Sequence, residues 1–291
     1  METQKGVERW LVDISQWNPS HEEFSFILSI LPLDEHSSIT RFVQLKDRKR
    51  ALISRLLQYA LVHQVTKIPF NEISIKRTIE DKPYLENLNN ITLGFANFNF
   101  NTSHDGDYVG IVSEPWYIVG LDIASLVVPM HENALEFVRN FASHFAYNEW
   151  EDIIGAGTGQ DILAQFCRYW CLKEAFVKAI GAGVGYTLNR LEFKHSNWSN
   201  IFVCIDGEKS KDWEFSLSEL GRSHWISIAR GHPRNAVENY KRTLCMAEFE
   251  QAENVSSSVQ FVTSFVPRTV QQLIPDSFKE KYSKYICMSD E

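Results

Sequence analysis

Hydrophobic positions recur at helical spacing from about Thr40 to Val65, where Phe42, Val43, Leu45, Leu52, Ile53, Leu56, Leu57, Ala60 and Leu61 share one face. The charged positions of that stretch fall on the opposite face. Further helical patterns run from roughly 131 to 153 and from 160 to 180, divided by Gly155-Ala156-Gly157-Thr158-Gly159, and a short helical region lies between Pro19 and Pro32. Strand patterns occupy residues 8–14 and 73–77, and Lys82-Pro83 opens a turn. Phe98-Asn99-Phe100-Asn101 alternates strictly, as a half-buried strand does; Thr102-Ser103-His104-Asp105-Gly106-Asp107 is expected to break it, and Tyr108 to Val112 resumes a strand. Glu114-Pro115 reads as a turn. Ile118 to Val128 is a continuous apolar run with one acid, Asp122. Short strands follow over 201–230, with Asp206-Gly207 as a hairpin turn. Residues 241–291, with Ser256-Ser257-Ser258 and two prolines, read as an appended tail that packs over the body or frays.

The chain has 291 residues, 44% hydrophobic and 23% charged, with 19 Phe, 10 Tyr and 8 Trp, so it can build a substantial core and is not a disordered chain. No apolar run reaches the roughly 18 residues of a membrane-spanning helix. The start, Met1-Glu2-Thr3-Gln4, resembles neither a secretory nor a transit segment, and a cytoplasmic protein is expected. Cys167, Cys171, Cys204, Cys245 and Cys287 are scattered without a C-x-x-C pair, which argues for reduced core thiols over a disulfide framework or zinc site. The net charge of -8 disfavours nonspecific nucleic-acid binding. Residues 38–82 nevertheless hold ten Lys/Arg against four acids. A solvated helix face accounts for part of that surplus; a basic face for phosphates or an acidic partner is the sharper reading.

Three groups of residues carry candidate chemistry. Trp170, Glu174 and Lys178 fall at i, i+4 and i+8 on one helix face, with Gly181 as the stop. Alone, the Glu–Lys pair reads as a surface interaction worth a few tenths of a kcal/mol, but Trp170, Phe166, Leu172 and Phe176 around it are untypical of open solvent. Asp122, in a strand with apolar neighbours on both sides, requires a partner if buried, since a lone buried charge is very costly; an edge-strand acid is the plainer alternative. Asn101-Thr102-Ser103-His104 offers a hydroxyl, an imidazole and, past a strand end, free amides for a phosphate or an adenine edge.

In this order, together with Lys82-Pro83, the stretches Asn99-Phe100-Asn101-Thr102-Ser103-His104, Val119-Gly120-Leu121-Asp122-Ile123 and Trp170-Cys171-Leu172-Lys173-Glu174-Ala175-Phe176-Val177-Lys178 resemble the Sfp-type 4′-phosphopantetheinyl transferases, most closely the broad-range eukaryotic members. The W-x-x-K-E-A/S-x-x-K run is the most specific element, and the resemblance spans about residues 8–232. It implies an α+β fold of two similar α/β halves packed as a pseudo-dimer, here 1–116 and 117–240, with 241–291 as the tail. The implied reaction moves the phosphopantetheine arm of coenzyme A to a serine of an acidic apo carrier protein, leaving adenosine 3′,5′-bisphosphate, on a monomeric enzyme that needs Mg²⁺. By resemblance Asp122 and Glu174 are the metal carboxylates and Lys178 faces the diphosphate. Glu174 is also the base for the serine proton, directly or through water. Arg77, Lys82, Ser103 and His104 hold the nucleotide, together with Asn101 and Thr102, and Arg41 and Lys46 are outlying candidates. Two departures stand out. Ala124 replaces the second strand acid of many bacterial members, and Ser38 stands where the animal type has an arginine, a role Arg41 could fill one turn away. Lys67 and Lys76 are candidates for a basic patch at the cleft mouth. A coenzyme A- or carrier-binding protein without catalysis is the alternative; a Ser103/His104/Asp122 hydrolase is weaker, since adjacent strand residues point apart and no G-x-S-x-G elbow is present.

Overall fold

A computed structural model describes residues 5–86, 97–128, 132–221, 223–246 and 261–286. The predicted Ser256-Ser257-Ser258 segment and Cys287 lie outside the described residues. The chain opens with β1 (Glu8–Asp13), α1 (His21–Ile30), α2 (Leu33–Thr40) and α3 (Leu45–Thr66), then the hairpin of β2 (Ile75–Arg77) and β3 (Pro83–Leu85). β4 (Asn99–Asp105), β5 (Tyr108–Glu114) and β6 (Ile118–Ser125) follow, then α4 (Ala134–Arg139), α5 (Tyr147–Ile154) and α6 (Gly159–Ile180). β7 (Leu191–Ser196), β8 (Ser199–Ile205), β9 (Glu208–Lys209), β10 (Trp213–Leu220), β11 (His224–Gly231) and α7 (Glu238–Lys241) complete the second half. The tail contributes β12 (Val266–Pro267), α8 (Val270–Leu273) and α9 (Asp276–Ile286).

The two halves share one plan. In the first, β1 leads through the 22-residue α3 to the β4–β5 hairpin, and the sheet runs β1-β5-β4 with β12 added at its edge. In the second, β6 leads through the 22-residue α6 to the β10–β11 hairpin, and the sheet runs β6-β11-β10. In each the first strand pairs antiparallel with the last. Each long helix buries its apolar stripe against its own sheet: Leu52, Leu56 and Leu57 share a core with Trp10 and Phe100, and Leu172 and Phe176 share one with Trp213 and Trp225. A third apolar layer joins the halves, built from Val112, Val119, Leu121, Ile123, Ile226 and Ile228.

A ladder of side chains on backbone also joins the halves. Asn99 Oδ1, Asn101 Oδ1, Ser103 Oγ and Asp105 Oδ2 accept from the amides of Val119 (3.1 Å), Leu121 (2.8 Å), Ile123 (3.1 Å) and Ser125 (2.7 Å). Both strands advance two residues per rung in the same direction, so one register error would misplace every rung. β6 is the edge of its own sheet, and these amides point away from β11; the ladder replaces the sheet partner they lack.

Several sequence expectations change here. The strand does not break at Thr102; it runs to Asp105 and turns at Gly106, so the Thr102–His104 backbone belongs to the β4–β5 ladder instead of forming a free anion cradle. Lys82-Pro83 closes a turn, since the reversal lies at 78–82 and Pro83 begins β3. The helix expected from Thr40 begins at Leu45, because Gln44 is extended (ψ 133°), and Val43 is exposed. The pattern at 131–153 splits into α4, a turn at Ala142–His144 and α5, as Phe137, Phe141 and Phe145 bend inward around Phe166 and Trp170. Cys167, Cys171 and Cys204 are buried and free, but Cys245 is exposed. Of the tail, 261–286 packs on the first half: β12 pairs parallel with β1, and Tyr282 stacks on Phe26 and donates to Glu23 Oε1 at 2.8 Å. Among the described residues no helix is long and apolar enough to cross a membrane.

α6 lies directly on β6 because Gly120 leaves no side chain between them; a Cβ there would sit 2.0 Å from the carbonyl oxygen of Ala175 and 2.4 Å from the amide nitrogen of Ala179. Both atoms are backbone and cannot turn aside. Gly120→Ala should lower the unfolding free energy by about 3 kcal/mol, read from urea denaturation; unchanged stability would contradict this packing.

Candidate active site

A cavity of about 770 Å³ opens between the halves. Its first-half wall comes from α2, α3, the β2–β3 hairpin and β4; its second-half wall comes from the last two turns of α6 and the Gly181–Gly185 loop. Gly181 has φ +73°, the left-handed conformation that ends α6 where the sequence places a stop.

Asp122 is buried on β6 facing α6. Its Oδ1 accepts from Lys178 Nζ at 2.6 Å and from Ser103 Oγ at 3.2 Å, and Lys178 Nζ also reaches Ser103 Oγ at 3.0 Å. Ser103 thus serves as a ladder rung and as a member of this triangle. Burial pushes the Asp122 carboxyl above the usual carboxylate range against the pull of Lys178. Burial alone lowers the Lys178 ammonium, yet Asp122, assisted by Glu174, outweighs it and holds that pKa above the ordinary lysine value. Glu174, one turn before Lys178, lines the cavity. Burial first, and then the neighbouring Asp122 charge, raise its pKa. Glu174 lines the cavity and Asp122 lies buried behind Lys178 at its edge; two neighbouring carboxylates are hard oxygen donors suited to Mg²⁺, which commonly takes only one or two from a protein. Among the described residues no cluster of three or more His, Cys, Asp or Glu adds to them. Ala124 is buried against the α6 core, which leaves this strand face without a second acid.

The remaining expected residues divide by geometry. Arg41, Arg77, Thr102 and His104 line the cavity. Arg41 is exposed at the end of α2, near Ser38. Arg77 Nη1 donates to Asp81 at 3.1 and 3.2 Å, whereas Nη2 is buried with no hydrogen-bond partner. Thr102 Oγ1 accepts from Gln58 at 3.0 Å. Asn101 lines the cavity too, but its Oδ1 is spent on Leu121. Lys82 borders the cavity while its ammonium donates to two main-chain carbonyls. Lys46 stands outside the cavity and pairs with Asp107 at 3.0 Å. The Lys67 and Lys76 patch does not form at the mouth: Lys67 borders a separate hollow beside Arg268, and neither lysine lines the cavity.

Sequence reading missed Arg55, whose Nε donates to Glu35 Oε2 at 2.8 Å at the cavity wall, and the Gly183–Gly185 turn opposite the 78–81 loop. Position on the basic α3 face was the available signal for Arg55. Lys173 also has a role that its sequence neighbours do not reveal. It is fully buried, pairs with Glu149 at 2.7 Å and donates to the carbonyls of Leu188 and Leu191. Glu149 in turn accepts from the amides of Ala146 and Phe193. Lys173 therefore anchors the back of α6 while Glu174 faces the cavity.

An inter-half cavity with Glu174 and Lys178 on one wall and Arg41, Arg55 and Arg77 on the other suits a phosphate-bearing ligand. Residues 15–116 match the family model for the 4'-phosphopantetheinyl transferase N-terminal region, and residues 118–229 match that of the 4'-phosphopantetheinyl transferase superfamily. The chain belongs to this family. It is 35% identical over 233 residues to the L-aminoadipate-semialdehyde dehydrogenase-phosphopantetheinyl transferase of Pongo abelii, covering 77% of this chain and 75% of that protein. It is 34% identical over 233 residues to the Homo sapiens protein of the same name, again covering 77% and 75%. Against the phosphopantetheinyl transferase of a Thraustochytrium species the figures are 33% over 232 residues, 78% and 79%.

His104 opens into the cavity, while its walls and the charges of Lys178 and Arg50 act on the ring. Although solvent reaches the ring from the cavity, desolvation by the surrounding walls first, then those two cations, push its pKa down to about 4. The imidazole is therefore neutral at pH 7. Because the folded pKa lies below the ordinary 6.5, the unfolded chain takes the proton first; the stability this group contributes is present above about 6.5 and lost as pH falls toward 4. An NMR titration should show the His104 midpoint near 4, and a midpoint at the ordinary value would contradict this environment.

Proposed function

We propose that this chain transfers the 4′-phosphopantetheine arm of coenzyme A to a serine hydroxyl of an apo carrier protein and releases adenosine 3′,5′-bisphosphate. The observation that carries the reading is one cavity in which Glu174 and Lys178, the latter held from behind by Asp122, face Arg41, Arg77 and His104. Breaking the diphosphate builds negative charge on the bridging oxygen, so cationic and hard-acid groups belong there. Bound at Asp122 and Glu174, Mg²⁺ would supply charge neutralisation of the diphosphate. The chain's own residues do the remaining work. Lys178 is held by Asp122 and Ser103 with its ammonium at the cavity, where it meets the diphosphate. Glu174 accepts the serine proton, directly or through a water. The serine oxygen then forms its bond to the phosphorus that carries pantetheine, and the bond from that phosphorus to the bisphosphate breaks. Arg77 and Arg41 hold nucleotide phosphate, and His104 approaches as a neutral donor. The acceptor is an acidic carrier protein, and the enzyme works as a cytoplasmic monomer.

Incubation with coenzyme A, Mg²⁺ and a panel of apo carriers should add one phosphopantetheine per acceptor serine by mass, with equimolar adenosine 3′,5′-bisphosphate. Binding of coenzyme A without any transfer would favour a non-catalytic binding protein. Arg77→Ala should weaken coenzyme A binding about ten- to a hundredfold, since a charge-assisted phosphate bond is worth roughly 1.5–3 kcal/mol. Dephospho-coenzyme A should lose little further in that variant if Arg77 meets the 3′-phosphate; an equal additional loss would remove Arg77 from that contact.

A further inference from the structure

Lys82 is buried at 4% exposure, and no salt bridge to a carboxylate accompanies it among the described residues. Its Nζ donates to the carbonyl of Val119 at 2.8 Å and to that of Lys178 at 2.7 Å, and it lies 5.0 Å from the Tyr240 ring centre. The last carbonyls of a helix have no donor from the helix itself. In α6 the Val177 carbonyl takes the amides of Gly181 and Ala182, the Ile180 carbonyl takes the amide of Val237, and the Lys178 carbonyl takes Lys82. A residue of the first half therefore caps the C-terminal turn of the helix that carries Glu174 and Lys178. The same ammonium holds the start of β6, three residues before Asp122.

The hairpin that presents Lys82 is itself clasped to the second half. Glu80 Oε1 accepts from Asn239 Nδ2 at 2.7 Å, and Gly183 packs so closely on Glu80 that a Cβ there would lie 3.2 Å from it. Two of the three N–H donors of Lys82 are committed to carbonyls. Turning them to a phosphate would strand both carbonyls without a donor in a buried setting, which is costly. From this geometry we infer that Lys82 is a positioning residue: it fixes the last turn of α6 against β6, and so the Lys178 ammonium beside Asp122, and does not itself contact the nucleotide.

The inference rests on the transferase reading above, and the test separates the two. Lys82→Met in the full chain keeps length and removes the donors. Its coenzyme A Kd by calorimetry should stay within about threefold of wild type, since no phosphate contact is lost. The kcat should fall about ten- to a hundredfold, the scale of a small misplacement of reacting groups. Amide exchange should quicken over residues 177–183. A Kd raised tenfold or more with kcat unchanged would overturn the inference. A readout on wild type alone covers the case of a variant that does not fold. Lys82 should resist lysine-selective acylation equally with and without coenzyme A, and protection that appears only with coenzyme A would overturn the inference. Absence of transfer by wild type to any carrier would defeat the transferase reading, while the Kd, exchange and acylation results still decide the role of Lys82.

Discussion

Everything in this molecule depends on how one strand edge is satisfied. β6 offers a row of outward amides with no neighbouring strand in its own sheet, and β4 answers with side-chain oxygens from Asn99, Asn101, Ser103 and Asp105. A ladder of this kind tolerates no slip, because each rung matches one short side chain to one amide. Buried amides left without acceptors would cost about 1–3 kcal/mol each. The ladder therefore fixes the halves in register, and the cavity is the space left between them beside its Asn101 and Ser103 rungs.

The Lys178 side of the cavity is an electrostatic consequence of the same seam. Asp122 comes from the laddered strand, Lys178 from the helix that Gly120 allows to lie on it, and Ser103 from the opposing strand. Burial penalises the carboxylate and the ammonium separately, and their pairing offsets that penalty. Behind α6, the buried Lys173–Glu149 pair holds the helix against the 188–193 segment. One lysine of the W-x-x-K-E-x-x-x-K run is thus architectural and the other faces the cavity.

Much of this was legible in the chain. The stretch 160–181 reads as a helix with Glu174 and Lys178 on one face and a glycine stop, and it folds that way. The isolated acid among apolar neighbours at 122 predicts a partner, and Lys178 is that partner. The alternation of Phe98 to Asn101 predicts a strand, but it places the asparagines on a polar face. In the fold that face is buried at 3% for Asn99 and 5% for Asn101, because its polar groups serve another strand. Periodicity records only which residues share a face; it does not record what covers the face. The splitting of 131–153 was equally hidden, since aromatic packing around Trp170 turns the chain there without a glycine or proline to announce it.

The central claim is that side chains of β4 stand in for a missing neighbouring strand of β6, and native-state hydrogen exchange tests it most directly. The amides of Val119, Leu121 and Ile123 should exchange as slowly as those in the β6–β11 ladder. Asn101→Ala should accelerate Leu121 selectively. Exchange of these three amides at the rate of an open sheet edge in the wild-type protein would contradict the account.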